Sequence, residues 1–314
     1  MSQIHARQRL YRRNRQSLVH GFDPVLTAVV GLLLFLGTLL VWAATRDWYM
    51  RNGLDGQYYL KRHIINILIG LVLAYGVTVI DYRLLRAYTP FLWGAGVLGL
   101  VIVLIPGLGA EINGAKAWIA LPGGFQIQPA ELAKIAIIIG MSMILSERSH
   151  DSDGPTTRDV LQSLAVAAIP VALIIMQPDM GTVLIISAAV VTIVAVSGVP
   201  ARWVTGLLLL AVLGGFVAVK AGVISEYQVN RLQTFVDPTA DTQGAGYQLR
   251  QARITVGSGG LIGTGLFNGP QTNGRFVPEQ QTDFIFTVAG EQLGFIGSGA
   301  ILILYLILLM RGFS

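Results

Sequence analysis

The sequence predicts an all-α fold, a polytopic membrane helix bundle of about eight spans with one large outer loop before the eighth. Three observations predict it. The 314 residues are 53% hydrophobic and only 12% charged, where a soluble domain carries about 25% charge. The apolar residues fall in continuous runs rather than in strict alternation, which argues against a membrane β-barrel. The runs also have the right length, since about 20 residues at a rise of about 1.5 Å each cross about 30 Å of hydrocarbon.

Eight stretches qualify or nearly so: 25–44, 63–80, 88–105, 131–146, 161–176, 180–198, 201–222 and 284–310. The first is longer than a signal-peptide core and seven more follow, so it reads as an uncleaved span. The fourth and fifth are short, with polar residues at one end. The last is long enough to tilt. Before them lies a basic tail, residues 1–22, that holds Arg7, Arg9, Arg12, Arg13 and Arg15 and no acid before Asp23. Such a tail stays in the cytoplasm. Alternation then places 81–87, 147–160 and 199–202 inside, and 45–62, 106–130, 177–179 and 223–283 outside. Residues 23–314 are expected to form a single membrane domain.

Composition also excludes several chemistries. With no cysteine there is no thiol catalysis, disulfide scaffold or thiolate metal site. A net charge of +5, spread along the chain, gives no basic face for nucleic acid. The four histidines, His5, His20, His63 and His150, have no metal-binding spacing. No phosphate-binding P-loop or dinucleotide fingerprint is present.

In a chain this poor in charge, the informative residues are the ionisable ones near membrane depth. Each costs at least about 2.5–3.5 kcal/mol to insert at a helix centre. Four places stand out. Residues 111–134 mix Gly and Pro with Trp118 and other apolar residues, which suits a re-entrant or interfacial segment. At its end Glu131 and Lys134 share a helix face, close enough to pair. Asp179, in the turn QPDMGT, either caps the sixth span or stands at the rim of an outward cavity. The outer loop carries glycines 257, 259, 260, 263 and 265, which read as flexible loop or as an anion-binding nest, and Arg250 and Arg253, which could grip phosphate or sit at headgroup level. Asp283 precedes the eighth span as either a helix cap or a general base, and Glu291, about 12 Å further along a helix, should face the bundle interior.

Taken together, NGAKAWI (113–119), FQIQPAELAK (125–134), QPDMGT (177–182), FVDP (235–238), GYQLRQARITVGSGGLIGTGL (246–266) and VPEQQTDFIFTVAGEQLGFIG (277–297) resemble the SEDS family (shape, elongation, division and sporulation) of RodA and FtsW, with RodA favoured. The resemblance covers nearly the whole chain after residue 20. It departs from the family pattern at Ala117, where Arg is frequent, at Gln281, where His is frequent, at Ala130, where QPSE is the usual form, and at Gln292, where EELG is usual.

The resemblance implies a peptidoglycan glycosyltransferase that polymerises lipid II into β-1,4 glycan at the outer face of the bacterial cytoplasmic membrane. It implies Asp283 as the general base. It places Trp118, Glu131, Lys134, Asp179 and Glu291 around a substrate cavity, and Arg231, Arg250 and Arg253 join Lys134 as candidate cations for the leaving pyrophosphate. No cofactor is required, although a divalent cation, Mg²⁺ or Mn²⁺, is compatible with the carboxylates. The expected partners are lipid II, a class B penicillin-binding transpeptidase and other elongation proteins, with no nucleic acid. Family members have about ten spans, so the last two are expected to be missing here. A lipid-linked precursor flippase and an inactive interaction module are the competing readings.

Overall fold

A computed structural model describes residues 23–112, 115–122, 125–147, 154–220, 222 and 245–313. The basic tail, the FVDP motif and Arg231 lie outside the described residues. The order is α1 (Pro24–Arg51), α2 (Tyr58–Val79), α3 (Tyr82–Leu104), β1 (Ala110–Ile112), β2 (Ala115–Ala120), β3 (Gln126–Ile127), α4 (Pro129–Glu147), α5 (Thr157–Ile175), α6 (Met180–Val196), α7 (Ala201–Lys220), α8 (Ala245–Ser258), α9 (Pro270–Asn273) and α10 (Ile285–Gly312). Each predicted span corresponds to one helix. Seven of these are long and apolar enough to cross a membrane, and the eighth, α6, is a shorter apolar helix of 17 residues.

The helices begin where local chemistry allows it. Pro24 opens α1, and the Asp23 carboxylate accepts from the N–H groups of Val25 (2.8 Å) and Leu26 (3.1 Å). Thr156 and Asp159 cap α5 reciprocally, each side chain bonded to the other's backbone N–H.

The chain divides into two compact units, Met1–Tyr75 with Asn230–Ser314, and Gly76–Val229. In the second unit, α4 packs on α3 and α5 around Leu100, Ala133, Ile137, Met141, Ile174 and Ile186. Small residues let the backbones close up: a Cβ on Gly96 would stand 3.1 Å from the Cα of Ala133, and one on Gly99 would stand 2.8 Å from the Cβ of Pro129.

The polar stretch before α4 forms a three-stranded antiparallel sheet, β1-β2-β3, which the sequence reading missed. Its strands are six residues or fewer and interrupted by glycine, too short for alternation to register.

In the first unit, α1 and α10 pack together through Leu40, Ala44, Val288, Ala289 and Ile301. Their ends are tied by Arg311 Nε, 3.4 Å from Asp23 Oδ2. Within the loop before α10, the described residues 245–283 include the helices α8 and α9.

The N–H of Leu26 foremost, then that of Val25 and the Arg311 guanidinium, holds the Asp23 carboxyl below the ordinary carboxylate range. A lowered folded value means that the cap's contribution is complete above the unfolded value of about 3.9 and fades as pH falls through the lower folded one. Asp23→Ala should therefore lower the melting temperature in detergent at pH 7. The gap from wild type should close in acid, and a gap independent of pH would refute the cap.

Candidate functional site

The charged residues singled out above fall in both units. In the second, Lys134 Nζ lies 2.7 Å from Glu131 Oε1, so the expected ion pair forms. Asp179 is the N-cap of α6, its carboxylate accepting from the N–H of Thr182 (3.1 Å) and from Thr182 Oγ1 (2.7 Å). A further donor, Gln128 Nε2 at 2.8 Å, joins this carboxylate to the residue just before α4. Gln128 thus brings the Glu131–Lys134 end of α4 beside Asp179. Trp118 is a half-buried residue of β2, paired with Ala110 of β1.

In the first unit, Arg250 and Arg253 are both exposed on α8. Asp283 is exposed on the turn ahead of α10. It is not the helix cap: that position is held by Phe284, with no side-chain capping bond. Asp283 therefore precedes the helical geometry that the sequence reading extended back to it. Its carboxylate has no hydrogen-bond or ion-pair partner among the described residues.

Glu291, by contrast, is fully buried, as its position in the span predicted. Both of its carboxylate oxygens are engaged. They accept from the N–H groups of Gln271 (2.8 Å) and Thr272 (2.8 Å) and from Thr272 Oγ1 (2.5 Å), with Ser258 Oγ at 3.4 Å. Gln271 and Thr272 lie in the first turn of α9, whose own N-cap, Gly269, has no side chain to offer. Glu291 supplies the missing cap from another helix. A Cβ on Gly269 would stand 2.5 Å from Glu291 Oε2, so this glycine leaves room for the carboxylate.

The next feature follows three residues on. Gly294 breaks α10 with φ 70° and ψ −169°. A break in an apolar helix frees backbone groups that lipid cannot satisfy. The glycine-rich loop satisfies them. The N–H groups of Phe295 and Ile296 donate to the carbonyls of Gly260 (2.9 Å) and Leu261 (3.1 Å). In return the N–H groups of Thr264 and Gly265 donate to the carbonyls of Glu291 (2.9 Å) and Gln292 (3.1 Å). The loop is thus neither a flexible linker nor an open anion nest. Gly263, at φ 82°, lies so near the Gln292 carbonyl that any Cβ would strike backbone.

Sequence reasoning missed the neutral and aromatic partners of this loop. Phe267 stacks edge-to-face on Trp42 of α1 at 4.9 Å, with the Arg46 guanidinium 5.0 Å from its ring centre. Arg275 lies 4.1 Å over Trp48, and the buried Gln280 donates to the carbonyls of Ala44 and Thr272. None of these carries a membrane-depth acid, the signal that exposed the others.

Among the described residues, no group of three or more His, Asp or Glu side chains is gathered to hold a metal ion. Among the described residues this donor set does not fit a protein-built metal cage.

Comparison with known proteins decides the family. The family model for cell cycle proteins, that of FtsW, RodA and SpoVE, matches residues 24–314. The chain belongs to the SEDS family. It is 36% identical over 294 residues to a probable peptidoglycan glycosyltransferase FtsW of Trichlorobacter lovleyi, covering 92% of this chain and 74% of that protein. It is 31% identical over 290 residues to peptidoglycan glycosyltransferase MrdB of Escherichia coli, covering 92% of this chain and 74% of that protein.

Among solved SEDS structures, a chain from a peptidoglycan synthase complex that coordinates polymerization and crosslinking superposes with a TM-score of 0.71 at 29% identity, covering 92% of this chain and 76% of that one. The rod shape determining protein RodA of Thermus thermophilus gives a TM-score of 0.61 at 28% identity, covering 92% and 73%.

Glu291→Ala would leave the buried N–H groups of Gln271 and Thr272 and the Thr272 hydroxyl without acceptors, at about 1–3 kcal/mol each. The expected result is a large drop in melting temperature in detergent, together with faster hydrogen exchange at residues 270–273. Wild-type exchange there would refute the cap.

Proposed function

We propose that this SEDS protein is a peptidoglycan glycosyltransferase that polymerises lipid II at the outer face of the cytoplasmic membrane, with Asp283 as general base. The observation that carries this assignment is the state of the four candidate carboxylates. Glu131 is bound to Lys134, Asp179 to Gln128 and Thr182, and Glu291 to α9. Asp283 alone of the four has no partner among the described residues, and it is exposed. A base must have a lone pair to offer, and Asp283 is the one of the four whose carboxylate accepts no hydrogen bond among the described residues.

In the proposed reaction the Asp283 carboxylate takes the proton of the acceptor's 4-hydroxyl. The freed oxygen pair forms a bond to the anomeric carbon of the donor. The bond from that carbon to the pyrophosphate oxygen breaks, and the electron pair leaves with undecaprenyl pyrophosphate. One displacement inverts the α-linked donor to a β-1,4 product. Negative charge grows on the leaving group, so nearby cations lower the barrier. Arg250 and Arg253, in the same unit as Asp283, are the described candidates.

The relatives named for this activity, MrdB among them, support the reading. The solved synthase complex supports a class B penicillin-binding transpeptidase as partner, and the basic tail supports a cytoplasmic N-terminus. The finer assignment to elongation, as in RodA, rests on motif resemblance. It predicts that depletion rounds the cells, whereas filamentation would assign the chain to division.

Purified Asp283→Asn should lose about 10²–10⁴-fold in glycan-strand synthesis from lipid II. Its melting temperature should stay at the wild-type value, because the carboxylate holds nothing in place. Normal synthesis by this variant would overturn the assignment, and lipid II movement across vesicles without polymer would favour a flippase.

A further inference from the structure

The turn that carries Asp283 is held by a side chain outside any charged motif. Within 274–284 only Val277 and Gln280 are buried, Gln280 being 1% exposed. Its Nε2 donates to the carbonyl of Ala44 in α1 at 3.0 Å and to that of Thr272 in α9 at 2.8 Å. Both partners are backbone carbonyls, which only accept, so the amide can sit only with its nitrogen toward them. Its oxygen is left buried without a partner. The site therefore uses Gln280 as a donor and makes no use of its acceptor.

Around this anchor the turn closes on itself, the N–H groups of Thr282 (3.1 Å) and Phe284 (3.3 Å) both donating to the carbonyl of Glu279. Within this turn Gln280 points into the protein while Asp283, three residues on, is exposed. Thr272 is in turn fixed by the Glu291 carboxylate. One amide thus ties the Asp283 turn to α1 on one side and, through Thr272, to the buried carboxylate of α10 on the other.

We infer that Gln280 is a positioning residue for the proposed base: by bridging the carbonyls of Ala44 and Thr272, it fixes where the Asp283 carboxylate stands relative to the reacting sugar hydroxyl. This inference rests on the reading of Asp283 as general base. A displacement of about 1 Å at a reacting group costs about 10²-fold in rate. Loss of the bridge should thus lower turnover and leave substrate affinity alone.

The test uses the full chain, purified in detergent, with lipid II as substrate. Gln280→Met keeps the side chain's length and removes the donor. It should lower kcat by about 10²-fold, with KM near wild type and a melting temperature lowered by the two carbonyls left without a donor. Gln280→Glu supplies an O–H donor only when protonated, and burial favours that form. Its kcat relative to wild type at the same pH should rise as pH falls.

Wild-type kcat in Gln280→Met overturns the inference. So does a kcat that falls only in step with melting temperature, joined with no acid recovery in Gln280→Glu, since that pattern marks a purely structural contact. Asp283→Asn, run alongside, separates the two readings. If it polymerises normally, the assignment of the base fails. If it is inactive while Gln280→Met is unimpaired, only the positioning role fails.

Discussion

The arrangement around Asp283 depends on one constraint: a backbone opened in an apolar helix must find hydrogen bonds within the protein. Gly294 interrupts α10, and residues 260–265 answer with two donors and two acceptors. Unmet, each group would cost several kcal/mol in hydrocarbon. The loop cannot be displaced without incurring that cost, so a glycine-rich segment becomes a fixed part of the helix pair. From this fixed segment the chain proceeds to α9, to Gln280 and to the turn bearing Asp283. Each step is held by a buried polar contact rather than by apolar packing alone.

The acids divide by what surrounds them. Asp179 satisfies the start of a helix, Glu131 neutralises a lysine, and Glu291 caps a helix that cannot cap itself. These jobs give each of the three a partner, and two of them organise the backbone at a helix start. Asp283 has none of these duties, which suits a group meant to accept a proton. In the first unit the two kinds of carboxylate lie eight residues apart in the chain, one fully buried and one exposed, so environment rather than residue type sets their roles.

The helical architecture was legible because spanning helices leave long, continuous signals. Asp179 as a cap and Glu131–Lys134 as a pair could be read from spacing within one turn of helix. The sheet at 110–127 could not, since its strands are too short to show a period. Glycines 259–265 looked like a loop because sequence shows a glycine's freedom and hides the close backbone that requires it. Gln280 was invisible for another reason: its partners are carbonyls of Ala44 and Thr272, and a main-chain acceptor leaves no mark on composition. Gln292, noted only as a departure from the family's usual EELG, proves to accept from the N–H of Phe267 at 2.9 Å.

The bond between Gln280 and Ala44 joins residues 236 positions apart. Synthesis delivers α1 before its counterpart, and the 236 positions that separate Ala44 from Gln280 must be made between them. Until then the C-terminal end of that helix lacks the contacts to Phe267, Arg275 and Gln280 that later cover it. Contacts this distant form slowly, because the intervening chain must be ordered before they are made. The turn bearing the proposed base is therefore assembled only when α1 meets α9 and the segment before α10. A nascent chain would acquire its helices well before it acquired its chemistry.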